Sequence, residues 1–329
     1  MDRFKIDFWV CNLRRHLLLF PISLIGLSAS WQQNNSEKIL IPIIDGEWWK
    51  VAGNPDLGSY TTEKQQPVDF ALWQAEDGTW QIWSCIRGTN CGGKTRLFYR
   101  WQGTKITDTN WHPMGIAMEA DTSFGETLGG LQAPFVMKIR NEYHMFYGDW
   151  ENICMAKGVD GKTFARQLQS NGKSGMFTEG PGNNTRDVNV IRVGALYIAY
   201  YTAYPNKQGA DYVRTSKDFK TWSTSKIVAF GGSAGSGSGS AECPYVYFHK
   251  PTGYYYLFRT QRYGANAQTS VYRSKDPLDF GVNDDRYLVT VLPVAAPEIV
   301  DYQGQIYIAA LLPSLKGIQI AKIKFVHKL

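Results

Sequence analysis

The stretch Ser240-Ala241-Glu242-Cys243-Pro244-Tyr245-Val246 sets one carboxylate at the mouth of an apolar strand, directly after the Gly/Ser-rich run Gly231 to Ser240. No basic residue adjoins Glu242 in the chain. The phrase recurs in altered form as Leu131-Gln132-Ala133-Pro134-Phe135-Val136, Thr185-Arg186-Asp187-Val188-Asn189-Val190 and Ala295-Ala296-Pro297-Glu298-Ile299-Val300. Counted at the Pro134 slot, the units stand at 134, 188, 244 and 297, at spacings of 54, 56 and 53. An even period of this size, each unit opening on a short apolar strand, marks a radial repeat. Pro67-Val68-Asp69-Phe70-Ala71-Leu72-Trp73 opens the same way 64 residues earlier, which predicts longer loops in the first unit.

Within each unit, short runs of β-branched and aromatic residues alternate with Gly, Asn or Asp turns, as at Glu76-Asp77-Gly78, Arg140-Asn141 and Gln303-Gly304. The pattern predicts three antiparallel strands per unit. Two units end on matching phrases, Ser216-Lys217-Asp218-Phe219 and Ser274-Lys275-Asp276-Pro277. Five such units make an all-β, five-bladed β-propeller over residues 67–329, in which radial repetition protects the strand edges and the innermost strands line a central channel. Residues 31–66 read as an N-terminal extension, with 39–44 and Trp48-Trp49 packing as an outer strand.

A chain of 329 residues with 43% apolar and 14% aromatic residues can bury a large core in one closed repeat domain. The net charge of +6 is scattered, and no Lys/Arg cluster alternates with aromatics, so nucleic acid is excluded as a partner. Residues 1–30 read as a signal-peptide-like segment: Arg14-Arg15, the apolar run 17–27, then Ser28-Ala29-Ser30. That run is too short for a stable membrane span. A secreted or periplasmic location follows, and Asn183-Asn184-Thr185 fits a glycosylation acceptor. Among five cysteines, Cys85 and Cys91 flank a hairpin loop and could close a small disulfide, or stay as thiols. Zinc spacing is lacking, no metal ligand set is assigned and no cofactor is expected, a structural calcium aside.

The first strand of a propeller blade runs along the axis, so residues at its start converge on one funnel. Asp69, Asp187 and Glu242 are placed there as the catalytic carboxylates. Their mutual repulsion raises at least one pKa, as glycosidic cleavage requires: one carboxyl protonated to assist the leaving oxygen, another ionised to activate water or attack the anomeric carbon. Glu242, with its longer arm and no neighbouring cation in sequence, is expected as the acid, Asp69 as base or nucleophile, and Asp187 as the carboxylate that holds sugar hydroxyls. Glu298 falls later in its own unit and is expected to face elsewhere. Candidate substrate-binding residues are Arg186, Trp83, Trp150, Tyr204, Arg259, Gln261 and Arg262, with Trp73 and Tyr263 also near strand ends. His144 alternates with apolar neighbours and reads as a packed strand residue.

The order Asp69, then Arg186-Asp187, then Glu242-Cys243-Pro244 resembles the five-bladed propeller glycoside hydrolases, the superfamily of family 43 (arabinanases, xylosidases) and family 32 (invertases, fructanases). Arg186-Asp187 is similar to the Arg-Asp-Pro motif of the invertase group, and Glu242-Cys243-Pro244 to its Glu-Cys-Pro motif. The resemblance spans about residues 65 to 325 and implies a glycoside hydrolase acting on a plant or algal oligo- or polysaccharide, with Asp69 as the first-blade carboxylate, Asp187 as stabiliser and Glu242 as general acid. Two departures stand out: Val68-Asp69-Phe70-Ala71 replaces the invertase group's Asn-Asp-Pro-Asn, and Val188 follows Asp187 in place of Pro. The alternatives are a non-catalytic carbohydrate-binding propeller, or a glycoside phosphorylase of the same fold using Arg186, Arg259 and Arg262 for phosphate. Sugar identity, oligomeric state and the choice of retaining or inverting chemistry stay open at this stage.

Overall fold

The computed structural model describes residues 39–328, so the targeting segment expected over residues 1–30 lies outside the described residues. The strand β1 (Leu40–Gly53) comes first and is used last. Blade one is β2 (Gln66–Gln74), β3 (Trp80–Arg87), β4 (Leu97–Gly103) and β5 (His112–Met118). Blade two is β6 (Gln132–Ile139), β7 (Glu142–Gly148) and β8 (Ile153–Gly158), extended by the short β9 (Ala165–Arg166) and β10 (Gly175–Phe177). Blade three is β11 (Arg186–Val193), β12 (Leu196–Ala203), β13 (Ala210–Ser216) and β14 (Lys226–Ala229), and blade four is β15 (Glu242–His249), β16 (Tyr254–Arg262), β17 (Gln268–Ser274) and β18 (Leu288–Leu292). Blade five joins β19 (Glu298–Tyr302), β20 (Gln305–Leu311) and β21 (Gly317–His327) to β1.

Two expectations change. Each blade has a fourth, outer strand; β5, β14 and β18 are short and partly exposed, so they carry little apolar period to read. Residues 40–53 form the outer strand expected from 39–44 and Trp48-Trp49, but as part of the propeller: β1 pairs antiparallel with β21 from Leu40 opposite His327 to Gly53 opposite Gly317, closing the ring by joining the two ends of the described chain. The inner strands β2, β6, β11, β15 and β19 touch in turn around the axis, with β19 returning to β2.

Aromatics fill the wedges between blades. Trp73, Trp83 and Phe164 form one edge-on cluster, and Trp80 meets Tyr302 edge-to-face at 5.0 Å. His144 is buried against Phe219, as its strand pattern predicts. Cys85 and Cys91 are both free thiols, so the possible disulfide is not formed.

The repeat has a backbone signature. The residue at the same point of each blade adopts a left-handed conformation: Asp69 (φ 33°), Ala133 (37°), Asp187 (57°), Cys243 (47°) and Ala296 (49°). In blades one to four the ladder slips there, between Val68 and Phe70, Gln132 and Phe135, Arg186 and Asn189, and Glu242 and Tyr245. A bulge breaks the in-out alternation of a strand and re-aims its side chains. Consecutive residues can therefore both reach the funnel. Non-glycine residues in this conformation cost on the order of 1 kcal/mol each or more, a strain that persists only where the surroundings impose it.

Candidate active site

The bulge sorts the inner residues into two neighbouring columns. Asp69, Ala133, Asp187, Cys243 and Ala296 line the narrow axial channel. The residues just before three of them, Gln132, Arg186 and Glu242, line a hollow of about 320 Å³ above it, which Asp69 also reaches. The three acids are thus together but not in one phase: Glu242 stands one step ahead, and Cys243 occupies the slot that holds Asp in blades one and three.

Asp69 and Asp187 oxygens and the Cys243 sulfur all lie within 4.8 Å of one another. Asp69 Oδ1 accepts from the Tyr263 hydroxyl at 3.0 Å and from the Cys243 thiol at 3.2 Å. Burial, reinforced by the surrounding carboxylates, pushes both the thiol and the phenol well up, so each stays protonated and serves as a donor. Asp187 Oδ2 accepts the Cys243 backbone N–H at 3.1 Å, while its Oδ1 is buried without a partner. Complete burial is the main reason the Asp187 carboxyl is raised well above the usual range; the charges of Asp69 and Glu242 add to it, and Arg186 opposes it.

Arg186 is the surprise of the sequence reading. Glu242 has no cation beside it in the chain, but the fold brings Arg186 from 56 residues away, and its Nη2 and Nε bond the two Glu242 oxygens. The same guanidinium lies 3.5 Å from Asp187 Oδ2 and donates to the Asn184 carbonyl at 2.9 Å. Tyr204 stacks on its face at 5.3 Å, which makes Tyr204 a support for Arg186 and not a lining residue.

Other expectations divide. Gln261 and Arg262, at the end of β16, line the hollow with Tyr263. Gln261 is largely spoken for, its Oε1 accepting from Ser270. Trp83 does not face the site: it is buried between blades with Trp73, because the blade wedges need large flat side chains more than the funnel does. Trp73 likewise donates its indole N–H to the Gly161 carbonyl at 2.8 Å. Arg259 does not reach it either; it is buried and donates to the carbonyls of Ser240, Gly231 and Gly235, pinning the glycine-rich run that delivers Glu242. Trp150 lies outside the lining, its ring covered by Lys94 at 4.7 Å and Arg96 at 5.2 Å. Glu298 lines the axial channel instead of the hollow, and burial raises its carboxyl well above the usual range.

Sequence reasoning missed Gln132, Asn184, Arg87 and Arg96 as lining residues. Gln132 could have been found, since it holds the repeat position of Arg186 and Glu242. Arg87 and Arg96 come from the far end of β3 and the loop before β4, where no repeat signal reaches. The one metal-capable group among the described residues is Asp69, Asp187 and Cys243. A protonated thiol between two carboxylates does not match the all-oxygen shell that calcium takes.

No family model matches the sequence, and no curated protein does. Solved structures do match in fold. A thermostable family-43 glycoside hydrolase superposes with a TM-score of 0.59 at 15% identity, covering 81% of this chain and 91% of that one. A Bombyx mori GH32 β-fructofuranosidase gives 0.56 at 13%, covering 84% and 62%. A structure described as showing that the GH130 family of mannoside phosphorylases contains hydrolases targeting β-1,2 mannosidic linkages in Candida mannan gives 0.57 at 12%, covering 83% and 94%. What the chain shares with all three is the five-bladed propeller.

Proposed function

We propose that this propeller is a glycoside hydrolase in which Glu242 is the general acid, Asp69 the base or nucleophile and Asp187 the carboxylate that orients the sugar. The observation that carries the reading is the convergence of three carboxylates, from blades one, three and four, near the axis: Asp69 and Glu242 line the hollow, and Asp187 lines the adjoining channel within 4.8 Å of Asp69. Buried acceptors with no partner, Gln132 Oε1, Asn184 Oδ1 and Asp187 Oδ1, wait beside it for donors such as sugar hydroxyls. The fold shared with glycoside hydrolases supports the reaction class, and the substrate is taken as a carbohydrate.

In the reaction, Glu242 gives its proton to the glycosidic oxygen as the anomeric C–O bond breaks. Asp69 either takes a proton from the water that adds to that carbon, or adds to the carbon itself and is later released by water. Tyr263 and Cys243 hold Asp69 Oδ1 in place for either role. Arg186 bonds both Glu242 oxygens, so substrate must loosen that contact for Glu242 to reach the glycosidic oxygen.

The test is hydrolysis of aryl furanosides, aryl pyranosides and plant and algal oligosaccharides, each with and without phosphate, by the wild type, Glu242→Gln and Asp69→Asn. Each variant is expected to lose about 10² to 10⁴ in rate. Glycan binding with no turnover in the wild type would replace the hydrolase with a binding propeller, a phosphate requirement would replace it with a phosphorylase, and the anomer of the first product decides between retention and inversion.

A further inference from the structure

The hollow holds more positive charge than the proposed chemistry uses. Four guanidinium groups line it, Arg87, Arg96, Arg186 and Arg262, against two carboxylates, Asp69 and Glu242. Arg186 is occupied by Glu242 and Asp187. The other three have no carboxylate within ion-pair distance among the described residues. Elsewhere Arg166 is matched to Glu126, Arg214 to Glu179 and Arg259 to Asp211, whereas Arg100 rests on the Lys162 backbone carbonyl.

Each unmatched arginine rests on neutral groups. Arg87 donates through Nε and Nη2 to the Gln66 amide oxygen at 3.0 and 2.8 Å. Arg96 lies 3.9 Å from the Cys85 sulfur and over the Trp150 ring. Cys85 is no counter-ion: burial pushes its thiol up to about 12. Arg262 is exposed at the end of β16, with no ion-pair partner among the described residues. Three like charges facing one hollow repel one another, and a guanidinium fork is shaped for an oxyanion.

The geometry points to a substrate that carries its own oxyanion, a carboxylate or sulfate on a sugar beside the scissile bond, received by Arg87, Arg96 and Arg262. This rests on the glycoside hydrolase reading and narrows it to acidic glycans. Inorganic phosphate shares the chemistry, but the observations favour a substrate-borne group: Asp69 already occupies the reacting position with two donors fixed on it, and a phosphate dianion there would face that carboxylate.

The experiment measures equilibrium binding of matched probes to the wild type, Arg87→Gln and Arg262→Gln, with circular dichroism melts showing that each variant folds. The probes are galacturonate oligosaccharides and their methyl esters, sulfated galactan oligosaccharides and their desulfated forms, and inorganic phosphate alone. A charged member is expected to bind at least about tenfold more tightly than its neutral twin, and to lose that preference in either variant and in high salt. Charged members that bind no better than their twins, or no binding by any of them, overturn the inference. So does phosphate that binds in their place and is required for turnover. Hydrolysis is scored separately on the same probes: charge preference without turnover removes the hydrolase and keeps the oxyanion site, whereas turnover of neutral sugars without preference does the reverse.

Discussion

At the residue scale the site turns on Arg186. One guanidinium touches Glu242 and Asp187 and rests on Tyr204, so it holds together two carboxylates that would otherwise repel. Removing it withdraws the cation that opposes the upward shift of the Asp187 carboxyl. Arg186→Gln is therefore expected to lower kcat/KM by about 10² or more. A folded variant with wild-type kcat/KM would show that Arg186 does not order the site. Tyr263→Phe deletes one of two donors to Asp69 Oδ1, and is expected to lower kcat by about tenfold, with the thiol of Cys243 retaining the other bond.

At the scale of the element, the run Gly231 to Ser240 looks in sequence like a flexible linker and is in fact tied down. Gly231 has φ 68°, and a Cβ there would fall 2.5 Å from Asn283 Oδ1, so only glycine suits that position. Arg259 collects three carbonyls of the run and lies 3.6 Å from Asp211. Asp211 is wholly buried, and desolvation pushes its carboxyl up to about 7 despite Arg259. Between pH 4 and 7 the folded protein therefore keeps a proton that the unfolded chain releases, and this contribution to stability falls as pH rises through that window. The stability of the wild type minus that of Asp211→Asn, from urea unfolding, is expected to drop by a few kcal/mol across it, on the scale of about 1.4 kcal/mol per pKa unit; a flat difference would refute the shift. Arg259→Ala strands a buried carboxyl and frees the run, so a loss of about 3–5 kcal/mol and of Glu242-dependent activity is expected.

At the scale of the whole molecule, closure rests on β1. It covers the edge of β21 and contributes the buried Val51 and Ala52. A chain beginning at residue 54 leaves β21 as an open edge, which invites association, and is expected to lose more than about 5 kcal/mol, the scale of a domain's entire stability; a cooperative melt at the wild-type temperature would show that closure is dispensable. Among the described residues no helix is long and apolar enough to cross a membrane. The sequence by itself determined the repeat, the all-β class, the number of blades and the placing of Asp69, Asp187 and Glu242 at the starts of inner strands, because the period and the apolar strand openings are local patterns that every blade must restate. Only the tertiary structure decided that Arg186 answers Glu242, that Arg259 serves a loop and not the funnel, that 40–53 complete the fifth blade, and that Arg87 and Arg96 face the acids. Each of those is a meeting of residues from different blades or from opposite ends of one, fixed by ring closure and by a bulge that turns two consecutive side chains inward, and neither leaves a mark in the spacing of residues along the chain.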